Sequence, residues 1–430
     1  VSRIAIVGAG LAGLLAADEA VQQGLEVALL EKSHLLGGQL RSHHHEGFVV
    51  ESGLEGFWGL EDWMNERGLE ALPTHFASQQ LREGRWLAVG QGLPWQLPRG
   101  LGRHLGVGGK MRLATERLGS TSTLPDEDLG GFVRRRLGEE IWALLEAPLI
   151  HSLEQAPGGL LSTRANLPNW WASEGRGGLG SLAAGPRWNT LAPGMGQLTE
   201  TLLARIDGKV QFGLSNPVNV VAPSRSFNTW VVVTEQGRVE ANAVVLATPL
   251  AQTARILRPL HPQATTNLNQ IPAVPSASVW LAYPEATLPS LPAAQLFTPG
   301  YRFAELSQVH RQYPNRVPPG YALLRARFWG EDARHNEQEL GRLARQEVER
   351  LTRQPSRPIA VWVSRHGARP QFTMGHSRRV SSLREALAQL PGLYLATPLE
   401  GLGLAAQIEA SRRAVQQAAN HLSLATPALA

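Results

Sequence analysis

Cysteine is absent from the 430 residues. Its absence excludes disulfides, thiolate catalysis, cysteine-ligated zinc or iron–sulfur centres, and any cofactor tethered through a thioether. Redox chemistry therefore requires a bound cofactor. Charge of one sign is also scarce: 41 Lys and Arg stand against 36 Asp and Glu, a net +5, with the basic residues scattered. Scattered charge leaves no nucleic-acid footprint, though it permits an anionic small substrate or an acidic membrane surface. The uncharged apolar opening, Ile4–Ala17, falls short of the about 20 residues a membrane span needs. Gly8, Gly10 and Gly13 interrupt it, unlike a signal peptide. No internal repeat or low-complexity tract is present. At 43% hydrophobic and 18% charged, with 44 Gly and 29 Pro, the composition is that of a folded, loop-rich chain of two or three domains.

The opening reads as strand, glycine turn, helix, strand. Arg3–Val7 is short and β-branched, Leu11–Gln23 has helical spacing, Gly24 is placed to stop the helix, and Val27–Leu30 returns as a strand. GAGLAG then falls at the strand-to-helix turn. Gly8 permits the tight turn, Gly10 lets a pyrophosphate approach the backbone, and Gly13 lets helix and strand pack closely. The helix start offers free N–H groups to phosphate. Glu31 ends the second strand near the ~20-residue spacing at which an acid accepts hydrogen bonds from ribose hydroxyls. That carboxylate would repel a 2′-phosphate, disfavouring NADP.

After Glu31 the chain reads KSHLLGGQLRS, with Gly37 and Gly38 in a turn. Paired glycines there make either a simple hairpin turn or a loop lying against a cofactor diphosphate. The layout resembles the flavin signature of the amine-oxidase and protoporphyrinogen-oxidase superfamily, which implies FAD rather than NAD. VVLATP (Val244–Pro249) and LPGLYLATPLEGLGLAAQIEASRRAVQQAA are similar to that superfamily's second flavin strand and its flavin-closing segment. DEDLGGFVRRRLGEE (Asp126–Glu140) reads on charge alone as a solvated helix face capped by Asp126. Its wording nevertheless resembles the oxygen-dependent porphyrinogen oxidases of bacterial type, as do LLSTRANLPN, APGMGQLTETL and RPQFTMGHSRRV, in matching order along nearly the whole chain.

The resemblance implies an α/β fold in three interleaved parts. A discontinuous Rossmann-like FAD-binding domain takes residues 1–70, 190–260 and 385–430, a mixed-sheet substrate domain takes 71–94 and 261–384, and a helical lobe takes 95–189. It implies non-covalent FAD held by Gly8, Gly10, Leu11, Ala12, Gly13, Glu31, Lys32, Gly37, Gly38, Val218, Ala247, Thr248, Thr397, Gly401, Gly403 and Leu404. It implies an oxidase acting on protoporphyrinogen IX or coproporphyrinogen III in haem biosynthesis, with oxygen as acceptor and hydrogen peroxide as by-product. No strong general base is required. It implies a cytoplasmic enzyme, with peripheral contact to the inner face of the membrane as an option through Lys110, Arg112 and Arg117. The substrate carboxylates call for arginine, yet the position at which the family carries one falls on Ser78. Arg82 and Arg85 are the candidate substitutes.

Other departures are Thr397 in place of a glycine and Ala405-Ala406 in place of a Pro-Asp. IHSLEQAPGGLLS also lacks the usual glycine–aromatic–acid wording. With Ser78 they motivate a second reading, a flavin-binding relative that has lost catalysis and serves as a scaffold. A third reading is another superfamily oxidoreductase, a carotenoid desaturase or an amine oxidase. His43, His44 and His45 alternate sides on a strand and give no metal site. The 12 Trp, among them Trp86, Trp95, Trp170 and Trp171, read mostly as core. The Pro-rich IPAVPS and YPNRVPPG read as loop or edge-strand punctuation. Gly375-His376 reads as a turn before the last helix.

Overall fold

The computed structural model describes residues 3–74, 78–89, 93–95, 97–98, 101–119, 121–156, 160–182, 185–224, 229–401 and 403–425. Gly90 of QQLREGRWLAVG, residues 157–159 of IHSLEQAPGGLLS and Leu402 lie outside them. Arg3–Val7 is the central strand of a five-stranded parallel sheet. Glu26–Leu30 and then Val210–Gly213 lie on one side, and Ala243–Leu246 and then Leu393–Leu395 on the other. Continuous apolar runs such as EVALL and AVVL suit strands covered on both faces. The helix Leu11–Gln22 ends at Gln23, with Gly24 at φ +72°. Its Leu14, Ala16, Ala17 and Ala20 share a core with Leu202, Ala414, Val415 and Ala418 of the helices Gly196–Ile206 and Gly403–Ala425. The strand order reverses at Arg3–Val7, opening a crevice beyond the carboxyl ends of the strands, where α/β folds take ligands.

A second, seven-stranded mixed sheet joins distant stretches of chain. Ala360–Pro370, Ala273–Pro284, Tyr321–Trp329, Glu305–Gln308, Gln295–Phe297, Ser78–Arg82 and Arg85–Ala88 pair in that order. Only Gln295–Phe297 against Ser78–Arg82 is parallel within it. One face is apolar: Val279, Leu281, Leu324, Ala326 and Phe328 pack on Leu340, Ala344 and Val348 of the helix Glu337–Thr352. Pro275 of IPAVPS corrects the edge-strand reading, because its strand has neighbours on both sides. The pairing instead slips between Val274 and Ser276, a bulge at which the missing N–H leaves no gap in the ladder.

The helices within residues 101–182 enclose a third core around Phe132, Leu145, Leu149 and the fully buried Trp170. Asp128, not Asp126, caps the helix Leu129–Leu137, its carboxylate accepting from Gly131 N–H at 2.9 Å. The sequence offers both acids; Asp126 is taken up by Glu127 and Arg164 N–H groups. Nor is RRR solvated throughout: Arg134 is exposed, but its two neighbours are not. Arg135 pairs with Glu127 and Glu174, and Arg136, 2% exposed, pairs with Glu116. Asp128→Ala is expected to lower stability by about 1 kcal/mol, read as a lower urea midpoint at unchanged slope. Among the described residues no helix is long and apolar enough to cross a membrane.

Candidate active site

The glycine turn is built so that backbone approaches backbone. A Cβ on Gly13 would lie 1.8 Å from the Gly8 carbonyl oxygen, and one on Gly8, at φ +100°, would lie 2.8 Å from the Ala247 oxygen. Gly10 bridges to Gly37, whose N–H donates to Ala9 O at 2.8 Å, and a Cβ on Gly38 would meet Gly10 Cα at 3.0 Å. The first intrahelical bond is Leu14 N–H to Gly10 O, and no side chain caps the helix. The N–H groups of Leu11, Ala12 and Gly13 are thus the helix's open donors, next to bare glycine backbone, and they fit a diphosphate. Glu31 is aimed back at this turn, accepting from Ala9 N–H at 2.8 Å and Ser33 N–H at 2.9 Å.

The carboxyl ends of the neighbouring strands converge here. Thr397 Oγ1 donates to Thr248 O at 3.2 Å, which ties Ala396-Thr397 to Ala247-Thr248. Gln407 of the C-terminal helix donates to Ala396 O at 2.8 Å, and Ser411 donates to Ala12 O at 3.0 Å. His376, fully buried and stacked on Phe372, contacts Leu399 O at 2.7 Å and braces the loop after Thr397. Gly375 precedes the helix His376–Leu387, which is the penultimate helix and not the last.

Gly401, Gly403, Leu404 and Ala405 form one wall of a cavity of about 600 Å³. The remaining walls come from the loop Gly53–Trp58, from Ser78, Gln295, Phe297, Arg325 and Arg327 of the mixed sheet, and from Pro148, His151 and Trp170 of the helical lobe. Trp58, Trp95, Trp188 and Tyr313 supply flat surfaces. Trp58 meets Trp188 and Trp95 edge-on, at 67° and 79°.

Under this cavity lies a buried charge network. Arg325 bonds to Glu55 and Glu305 and, at 3.0 Å, to Ser307 Oγ. Glu305, with no exposed surface, also accepts from Gln295 at 2.9 Å and lies 3.0 Å from His151 Nε2. Arg327 stands 3.7 Å from Glu55 and 3.8 Å from Glu305. Nearby, Glu51 accepts from Ser42 Oγ and Met195 N–H at 2.8 Å and pairs with Arg316 at 3.1 Å. Burial raises the Glu51 carboxyl above its ordinary range, with Arg316 opposing.

Burial lowers His151 to about 4 despite Glu305, and lowers His366, held between Ser278 Oγ and Ser52 O, to about 3. Both are neutral at pH 7. Below 6.5 the unfolded chain binds protons that the folded one refuses, so their contribution is full above that pH and is lost as pH falls towards 4 and 3. The effect is on the order of 3–5 kcal/mol each when complete. Urea midpoints are therefore expected to fall steeply with acidification through this window, and His366→Gln to flatten the slope.

The chain from residue 11 to residue 418 matches the model of the flavin containing amine oxidoreductases. The chain belongs to that family. It is a flavin-dependent oxidoreductase. Similar curated proteins include the coproporphyrinogen III oxidase of Bacillus subtilis (strain 168), 24% identical over 97% of this chain and 98% of that one. The coproporphyrinogen III oxidase of Propionibacterium freudenreichii subsp. freudenreichii is 26% identical over 99% and 92%. The chloroplastic protoporphyrinogen oxidase 1 of Arabidopsis thaliana is 23% identical over 91% and 82%. Among solved structures, an Exiguobacterium sp. 255-15 protein provisionally named a protoporphyrinogen oxidase superposes with a TM-score of 0.82 at 23% identity. That match covers 98% of this chain and 99% of the other, and it shows the shared fold.

In this flavin oxidoreductase, Gly8, Gly10, Leu11, Ala12, Gly13, Glu31, Gly37, Gly38, Ala247, Thr248 and Thr397 come together around one turn. Gly401, Gly403 and Leu404 lie on the adjoining cavity wall. Lys32 follows Glu31 on the surface, and Val218 packs with Leu30 in the apolar layer beneath the sheet. Arg82 and Arg85 face each other across the tip of the hairpin that Ser78 opens, and neither lines the cavity. Sequence reasoning missed Glu55, His151, Glu305, Arg325 and Arg327. One signal was available: in YALLRARFW two arginines at i and i+2 interrupt a buried strand, which sets both on one face.

Proposed function

We propose that the protein holds FAD non-covalently and oxidises a porphyrinogen, coproporphyrinogen III or protoporphyrinogen IX, to the porphyrin in haem biosynthesis, with oxygen as acceptor and hydrogen peroxide as by-product. When bound, the flavin supplies the hydride acceptor. The residues of this chain bind, orient and exclude water: Gly8 to Gly13 and Glu31 would hold the diphosphate and ribose, and the tryptophan walls would enclose the macrocycle. On this reading residues 1–70, 190–260 and 385–430 hold the flavin, 71–94 and 261–384 the substrate, and 95–189 cover it. The exposed Val107 and Met111 beside Lys110 and Arg112 support peripheral contact with an anionic membrane face.

The observation that carries the reading is the large cavity, abutting the segment Gly401–Ala405, whose walls are aromatic and whose floor is charged. A polyene tunnel needs no buried arginines, and the edge-on tryptophans differ from a facing aromatic pair suited to an amine. The names of the B. subtilis, P. freudenreichii and A. thaliana relatives point the same way. Flavin-loaded protein mixed with either porphyrinogen in air is expected to develop porphyrin fluorescence with consumption of oxygen. A fully loaded protein inert to both would overturn the proposal and favour the scaffold reading that Ser78 and Thr397 motivate.

A further inference from the structure

We infer that Arg327 is the residue on which a substrate carboxylate docks. The inference rests on the proposed function for the identity of the ligand as a tetrapyrrole, but not for its charge. Arg327 is 7% exposed and lines the cavity, and its guanidinium makes no hydrogen bond to any described group, its nearest carboxylates standing 3.7 Å and 3.8 Å away. A guanidinium carries five N–H donors in a planar fork, and leaving those donors without hydrogen bonds at such depth is costly unless a ligand completes them.

Its acidic neighbours do not complete it. Glu55 and Glu305 are engaged by Arg325, which stands closer to both than Arg327 does. The strand register puts Arg327 opposite Glu305 and Arg325 opposite Ser307, so both cations share the sheet face on which the cavity opens. Ser78 also lines the cavity, on a strand third in order from that of Arg327, or about 14 Å across the sheet. A ligand carboxylate on Arg327 meets a preformed donor fork at a buried position, where a charge-assisted pair is strong.

The test compares flavin-loaded wild type with Arg327→Met and Arg327→Lys, using coproporphyrin III and its tetramethyl ester as probes, with binding read by tryptophan quenching. Wild type is expected to bind the acid at least about tenfold more tightly than the ester. Arg327→Met should erase that preference while leaving ester binding unchanged, and Arg327→Lys, which keeps the charge but loses the fork, should fall between. If Arg327→Met does not fold, Arg327→Lys decides: acid binding weakened against an unchanged ester supports the assignment, and wild-type binding of both overturns it. A folded Arg327→Met that still prefers the acid as wild type does overturns the assignment and leaves the porphyrinogen reading standing. If wild type binds neither tetrapyrrole but binds 3-phenylpropionate in an Arg327-dependent manner, the carboxylate assignment stands and the porphyrinogen reading falls. Wild type that binds none of the three contradicts both.

Discussion

Gly13→Val is expected to yield protein that neither retains nor takes up flavin. The first atom of any side chain at 13 would lie 1.8 Å from the Gly8 carbonyl oxygen, which is fixed backbone and cannot rotate away. The helix Leu11–Gln22 must therefore move off the strand Arg3–Val7, carrying its open N–H donors from the place where a diphosphate would sit. Charge-assisted hydrogen bonds are worth about 1.5–3 kcal/mol each, so misplacing two or three weakens flavin binding by more than about a hundredfold. Gly24→Ala is the control. Gly24 has φ +72° but open space around its missing Cβ, so alanine there costs about 1–2 kcal/mol of stability and leaves flavin content unchanged. Visible absorbance per chain, with circular dichroism to verify folding, separates the two outcomes.

Glu305→Ala is expected to destabilise the protein by about 3–5 kcal/mol, because among the described residues it leaves Arg325 and Arg327 buried with Glu55 as their only carboxylate. It also removes the acceptor of Gln295 and Ser307 and the partner of His151. Glu339→Ala, which breaks the exposed pair with Arg342, is expected to leave the urea midpoint nearly unchanged. Urea denaturation of the two variants side by side measures the difference. Equal losses would show that the network beneath the cavity contributes no more than a surface pair.

The opening strand–turn–helix–strand was legible because it is local. Strand, glycine turn, helix, stop and acid follow one another between Arg3 and Glu31, and each has its own physical signature. The cavity was not legible, because Glu55, His151, Glu305 and Arg325 meet only through sheet pairing and the packing of the helical lobe. Spacing along the chain carries no trace of that register. Arg82 and Arg85 were chosen for nearness in sequence to Ser78, whereas the cations in the wall enter from Tyr321–Trp329, third in strand order. Asp126 and Asp128 show the same limit on a smaller scale, since either could cap and only the path of the chain from Ser162 to Arg164 decides between them.

The central claim is that the opening glycine turn and the C-terminal segment together hold FAD. Its most direct measurement is the visible spectrum of the purified protein, followed by acid release and chromatographic identification of what comes off. The purified protein is expected to be yellow and to release FAD, roughly one per chain, with none left on the polypeptide. Colourless protein that takes up no added FAD, or protein that carries a different cofactor, would contradict it.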